Sequence, residues 1–235
     1  MRIACYSDIH GQLPSVVDCD VAIVAGDIGP YADWKKQLGF LHGKFLPWIS
    51  QFKQALFIAG NHDDLFATTP HLVPIERVGR GLGWVSYLEN SIGYVYGPYP
   101  DGSMLRRRPK LLTVWGTPNT KPWGHTGAFM EHEGTLAERF SQIPKCDVLI
   151  SHGPPYGYGD PGRPDKDGTP RPHVGSIALL DAIHRIQPKL VVCGHLHSGY
   201  GTYQVGPTLV VNAALTGDDK SGLIVNEPII VDLET

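Results

Sequence analysis

Apolar residues in this chain fall in short runs, and five of those runs stop at a loop carrying Asp, Asn or His. Ile3 to Tyr6 leads into Ser7-Asp8-Ile9-His10-Gly11, and Val21 to Ala25 into Gly26-Asp27-Ile28-Gly29. Ala55 to Ala59 leads into Gly60-Asn61-His62-Asp63, and Val148 to Ser151 into His152-Gly153-Pro154-Pro155. Leu190 to Cys193 leads into Gly194-His195-Leu196-His197. Short apolar runs bounded by turn residues predict buried strands. Polar residues at the carboxyl ends of such strands are where open α/β sheets place their ligands. Gly194 permits a sharp turn, after which two imidazoles one residue apart reach the same small space.

Helical patterns lie between the runs. Ala32 to Leu46 is a mixed helical stretch interrupted by Pro47, and Glu133 to Ile143 ends at Pro144. Ser176 to Ile186 carries Ile177, Leu180, Ile183 and Ile186 at helical spacing and stops before Pro188, with Ser176 as its N-cap. Trp84 to Tyr96 and Lys110 to Trp115 are rich in β-branched and aromatic residues and are separated by Pro100-Asp101-Gly102. They predict a hairpin or meander added to the sheets. Gly201 to Val205, Thr208 to Asn212 and Ile229 to Asp232 complete the strands. The expected architecture is α/β, with two packed sheets flanked by helices, and residues 1–235 form one expected domain. Tyr156 to Pro172 is rich in Gly and Pro. It is either a rim or lid over the site or a disordered surface loop.

Composition narrows the classes. Of 235 residues, 42% are apolar and 18% charged, as in ordinary globular proteins. A net charge of −3 gives no general attraction to nucleic acid or anionic membrane. The four cysteines form no C-x-x-C pair and read as reduced thiols, which fits a cytoplasmic location. The amino-terminal strand run is too short and too quickly broken for a signal peptide. No run approaches the length of a membrane span.

The loop residues form a ligand set. Asp8 and Asp27 offer carboxylates, Asn61 a neutral carbonyl oxygen, and His10, His152, His195 and His197 imidazole nitrogen. Mixed N/O ligation without thiolate suits Mn, Fe, Co or Zn, and neither calcium nor structural zinc. Two divalent ions bring about +4, while two carboxylates and a bridging hydroxide return about −3. Such a site stays positive and attracts an anionic ester, for which phosphate is the natural guest.

Asp8-Ile9-His10, Gly26-Asp27, Gly60-Asn61-His62-Asp63, His152 and Gly194-His195-Leu196-His197 resemble, in order, the motif set of the calcineurin-like metallophosphoesterase superfamily. Ser151-His152-Gly153-Pro154-Pro155, Gly116-Thr117-Pro118, His197-Ser198-Gly199-Tyr200-Gly201 and Asn226-Glu227-Pro228-Ile229-Ile230 look like its MPPED metallophosphodiesterase branch. The resemblance implies a four-layer α/β/β/α sandwich of two mixed β-sheets and activity on small phosphodiesters, including 2′,3′- or 3′,5′-cyclic nucleotides. It implies two divalent ions as cofactors, manganese first, with Fe, Zn, Co or Mg as alternatives. One ion would be held by Asp8, His10, Asp27 and His197. The other would be held by Asp27, Asn61, His152 and His195, with Asp27 bridging. His62 would face the substrate with Asn61 and protonate the leaving oxygen, and Asp63 would orient His62. The implied reaction is in-line attack by a metal-bridging hydroxide.

Protein Ser/Thr phosphatases of the superfamily carry arginines after the second motif and before the third. Here those stretches read Gly26-Asp27-Ile28-Gly29-Pro30 and Phe57-Ile58-Ala59-Gly60. A diester monoanion needs less positive charge than a monoester dianion, so their absence favours diesters. Asn119, after a predicted strand, and His173, at the close of the Pro-rich loop, are further candidates for substrate contact. Tyr94, Tyr96 and Tyr99 either stack a base or pack on the sheet. Arg106-Arg107-Arg108 is either a solvated hairpin edge or a grip for a polyanion. A small phosphodiesterase substrate is therefore the expected partner, and no membrane partner is expected. A nuclease, a phosphomonoesterase and a non-catalytic scaffold are the alternatives, and a monomer and a homodimer stay equally open.

Overall fold

Side chains alternate across a strand. In β1 (Arg2–Tyr6), Ile3 and Cys5 turn one way and Ala4 and Tyr6 the other, and all four are fully buried. A strand buried on both faces must lie between layers. The computed structural model describes residues 1–73, 84–97, 109–122, 127–162, 167–169, 172–217 and 222–234. It arranges them as four layers.

The first sheet is ordered β11-β1-β2-β3-β4, from β2 (Val21–Ala25), β3 (Gln54–Ile58), β4 (Trp84–Tyr87) and β11 (Ile229–Asp232). Only β11 runs antiparallel to its neighbour. The second sheet is ordered β5-β6-β7-β8-β10-β9, from β5 (Ser91–Tyr96), β6 (Lys110–Thr117), β7 (Val148–Ser151), β8 (Leu190–Cys193), β9 (Gly201–Val205) and β10 (Thr208–Asn212). Its inner strands are parallel and both edge strands antiparallel. Ile3, Cys5, Ile23 and Ile58 meet Val114, Ile150 and Val192 between the sheets. Outside the first sheet, Tyr6, Val24 and Phe57 pack on Phe40, Phe45 and Trp48. Outside the second, Leu149 and Val191 pack on α4 (Glu133–Ser141) and α5 (Ile177–Ile186) through Leu136, Phe140, Leu179 and Ile183. The four-layer α/β/β/α sandwich of two mixed sheets is therefore present.

Parallel strands put their carboxyl ends on one edge. The loops after β1, β2, β3, β7 and β8, which carry the candidate ligands, consequently converge. Asp8 N–H donates to Gly26 O at 3.0 Å, and Gly194 N–H to His152 O at 2.9 Å, tying successive loops together.

Three expectations change. The stretch Trp84 to Tyr96 is not one arm of a hairpin: β4 pairs parallel with β3, and β5 crosses to the other sheet and pairs antiparallel with β6. The crossing includes Asn90 at φ 45°. The turn Pro100 to Gly102 lies outside the described residues. Because β5 is antiparallel, Tyr94 and Tyr96 pair near the start of β6, at the end remote from the ligand loops. Tyr94 packs there on Tyr96 and under Lys110, away from the candidate ligands; Tyr99 is not described. Finally, Pro47 does not interrupt the helical run. α1 (Trp34–Phe40), capped by Asp33, widens into a π-turn at Leu41–Phe45 and continues as α2 (Leu46–Ile49) with Pro47 in its first turn. Proline has no N–H to bond backward and its ring crowds the preceding turn, which the wider turn relieves.

α3 (Asp64–Thr68) follows the third ligand loop. Ser176 caps α5 as expected, accepting from Leu179 N–H at 3.1 Å. No helix among the described residues is long and apolar enough to cross a membrane.

Candidate metal centre

Four of the candidate ligands have left-handed backbone: Asp8 at φ 53°, His10 at 42°, Asp27 at 51° and His195 at 66°. For such residues this conformation costs about 1–3 kcal/mol each and persists only where the surroundings enforce it. Backbone bonds enforce it here: His10 N–H donates to Asp27 O at 3.0 Å and Gly11 N–H to Ile28 O at 2.9 Å. Two motif glycines allow the crowding. A Cβ on Gly194 would fall on the Asp8 carboxylate and the Ser7 hydroxyl, and one on Gly60 would fall on Asp27.

The side chains then meet at short range. His10 Nε2 and His197 Nε2 are 3.4 Å apart, and Asp8 Oδ1 stands 3.3 Å from His197 Nε2 and 3.9 Å from His10 Nε2. Asp27 Oδ2 is 3.8 Å from His10 Nε2, and its Oδ1 is 3.4 Å from His152 Nε2. His152 Nε2 is 2.9 Å from Asn61 Oδ1, and the His195 ring crosses that of His152 at 5.0 Å between centroids. Asp8, His10 and His197 form one donor cluster, and Asp8, Asp27 and His152 a second. Asp8, assigned above to one ion alone, borders both clusters.

The arrangement fits a bound cation. His152 Nδ1 lies 2.8 Å from Ala25 O, and His197 Nδ1 lies 3.1 Å from Gly217 O. A carbonyl only accepts, so both Nδ1 atoms carry protons and both Nε2 lone pairs point inward, as metal ligation requires. His152 Nε2 then faces Asn61 Oδ1 and Asp27 Oδ1, acceptor against acceptors. Asp8 Oδ1 is buried without a hydrogen bond. Only a positive charge between these atoms makes the set stable. In the metal-free centre a proton supplies it. Burial alone would lower the pKa of His152, but the Asp27 carboxylate raises it to about 9. Burial likewise opposes protonation of His197, and Asp8 lifts its pKa to about 9. Burial would raise Asp8, yet His197 holds its carboxyl down at about 2. Burial keeps His10 below the ordinary imidazole value, despite both carboxylates.

One expected result follows. Near neutral pH His152 and His197 bear protons that an ion must displace, so metal uptake should release up to about two protons. Apparent affinity should rise with pH until about 9. Calorimetry in buffers of differing ionisation enthalpy reads the number directly, and uptake without proton release would refute the assignment of these two residues.

Other candidates have different places. Asp63 does not turn to His62. Its carboxylate accepts from Ile28 N–H at 3.0 Å, Gly29 N–H at 2.7 Å and Gly60 N–H at 2.8 Å, pinning the second ligand loop to the third. Burial, and then the Asp27 charge, raise its pKa to about 7 against the pull of those donors. Asp63→Ala should leave three backbone donors unpaired and cost roughly 3 kcal/mol or more, read as a lower urea midpoint in the metal-free protein. An unchanged midpoint would show that the pin is dispensable.

Asn119 is buried, bonded through Oδ1 to Asn90 Nδ2 at 2.9 Å, and lines with His195 a small cavity of about 10 Å³. His173 is not drawn to the ligands. Its Nδ1 lies 2.9 Å from Asp160 Oδ1 and its ring stands against Tyr156. Asp160 also accepts from Gly157, Val174 and Gly175 N–H, closing the base of the Pro-rich loop. Tyr31 was not anticipated. Its ring stacks on His10 and its edge meets His62. A single aromatic after Gly29-Pro30 gave no sign of this in the sequence.

Fold and centre together define a phosphoesterase built around metal-binding groups. Residues 1–199 match the profile described as calcineurin-like phosphoesterase. Metallophosphoesterase domain-containing protein 1 of Homo sapiens and its Mus musculus counterpart are 31% identical over 264 aligned residues, covering 100% of this chain and 71% of theirs. The crystal structure of TT1561 of Thermus thermophilus superimposes with a TM-score of 0.50 at 14% identity, over 91% of this chain and 90% of that one. The chain belongs to the calcineurin-like phosphoesterase family, and its resemblance to the MPPED branch holds along its whole length. It is a hydrolase of the metallophosphoesterase type, from a metal-dependent family.

Proposed function

We propose that this protein hydrolyses small phosphodiesters, cyclic nucleotides among them, at a dinuclear centre. The observation that carries the reading is the pair of donor clusters joined by buried carboxylates, with His62 tethered beside them. Asp8, His10, Asp27 and His197 would hold one ion, and Asp27, Asn61, His152 and His195 the other. Asp8 stands close enough to assist at both. Bound ions would supply an activated water and positive charge for the phosphate oxygens.

The chain's own groups do the rest. The His62 N–H donates to Asp27 Oδ1 at 2.8 Å, and its carbonyl accepts from Gln37 Nε2 at 2.6 Å, so the residue is fixed at the rim of the clusters. A water oxygen forms the new bond to phosphorus, and the bond to the leaving oxygen opposite it breaks. His62 gives its ring proton to that oxygen. The products are a monoester and an alcohol, or one nucleotide from a cyclic diester. The stretches Gly26 to Pro30 and Phe57 to Gly60 carry no arginine, which supports a singly charged diester over a monoester. The nuclease alternative leaned on Arg106 to Arg108, which lie outside the described residues.

The test is hydrolysis by metal-stripped protein refilled with Mn, Zn, Mg or Fe. Substrates are 3′,5′- and 2′,3′-cyclic nucleotides, an aryl diester, an aryl monoester and single-stranded nucleic acid. Diester turnover restored by metal, with little on the monoester, is the expected result. Preference for the monoester or the polynucleotide would overturn it.

A further inference from the structure

Tyr31 is 59% exposed at the edge of the centre, and metal binding gives it no task. Its ring nevertheless contacts two imidazoles. It lies 4.3 Å from the His10 centroid at 15°, nearly parallel, and 4.7 Å from the His62 centroid at 79°, edge to face. His10 and His62 are themselves 5.5 Å apart at 71°.

Asp27 and Gln37 hold the main chain of His62, and ring contacts bear on its imidazole. An edge-to-face aromatic contact biases a partly exposed ring toward one orientation by up to about tenfold. Tyr31 and His10 both make that contact, Tyr31 at the shorter range, 4.7 Å against 5.5 Å. Tyr31 also leaves His10 competent as a ligand. Its Oη is 3.0 Å from His10 Nε2, yet the near-parallel rings put that oxygen over the imidazole and not in its plane. The in-plane lone pair of Nε2 remains directed at the donor cluster. Ion and tyrosine are therefore compatible.

We propose that Tyr31 is a positioning residue: its ring holds the imidazole of His62 in the orientation that delivers a proton to the leaving oxygen. The inference rests on the role of His62 proposed above. The ring carries the effect, and the hydroxyl is dispensable for it. Tyr31 belongs to none of the three apolar clusters of the fold, so its removal leaves the core intact.

Tyr31→Phe and Tyr31→Ala separate ring from hydroxyl. In metal-loaded protein the readout is the ratio of kcat on an alkyl diester to kcat on an aryl diester. Tyr31→Phe should keep that ratio, and Tyr31→Ala should lower it about tenfold with metal content intact. Equal loss on both substrates, or a Phe variant that behaves like Ala, would overturn the proposal. A second readout needs no metal and no turnover. The ring protons of His62 should give one sharp NMR signal in the unmutated protein and in Tyr31→Phe, and a shifted, broadened one in Tyr31→Ala. An unchanged signal in Tyr31→Ala would overturn the proposal by itself. If the unmutated protein turned over no diester with any metal, the function proposed above would fall, and the His62 signal alone would decide whether Tyr31 orients that ring.

Discussion

Asp27→Ala should abolish diester turnover, by about a thousandfold or more, and empty at least one metal position. The carboxylate stands between the clusters: Oδ2 is 3.8 Å from His10 Nε2, and Oδ1 is 3.4 Å from His152 Nε2 while accepting the His62 N–H. Its loss takes charge from between the two donor clusters and so weakens the hold on the ions that activate water, and a thousandfold fall in rate is about 4 kcal/mol of barrier. A thousandfold loss is thus within reach of this one side chain. Asp27→Asn keeps the shape and an oxygen for the His62 N–H but loses the charge. It should fold, bind less metal and remain nearly inactive. Metal content after dialysis and kcat on an aryl diester give the answer. An Asn variant that kept both its full metal content and turnover within about tenfold would refute the bridging role.

The ligand loops were readable in the sequence because each follows a run too short and too apolar to be anything but a buried strand. Parallel pairing then brings the loops to one edge without further instruction. Gly194 was legible as the residue that permits a sharp turn, whereas the crowding of Gly60 by Asp27 and of Gly194 by Asp8 appears only in space. Other features depend on contacts distant in sequence, which no local pattern carries. Nothing between Trp84 and Tyr96 tells which sheet each half joins, because both halves have the same β-forming composition. Pro47 reads as an interruption of the helical stretch unless the π-turn before it is known. The acidic side chain of Asp63 beside His62 suggested a catalytic pair. Three backbone donors from Ile28, Gly29 and Gly60 claim it first. Tyr31 is the reverse case, an exposed aromatic whose neighbours His10 and His62 lie 21 and 31 positions away and become visible only in space.

His62→Ala should keep the metal and lose turnover selectively. The imidazole is in neither donor cluster, and alanine retains the N–H that bonds Asp27, so loop and ligands are expected to stay in place. What disappears is the ring proton. An aryl oxide leaves without help, whereas an alkoxide does not. Loss of a general acid typically costs about 10²–10⁴ in rate, and that range should appear on alkyl diesters and ribose-derived cyclic diesters. On a nitrophenyl diester the loss should stay below about tenfold. Added imidazole should restore part of the slow reaction by filling the space the side chain leaves. The comparison is internal to one variant, so differences in folding or loading cancel between the two substrates. Equal losses on both would assign His62 to stabilising the phosphoryl oxygens. A variant stripped of metal would make it a support for Asp27.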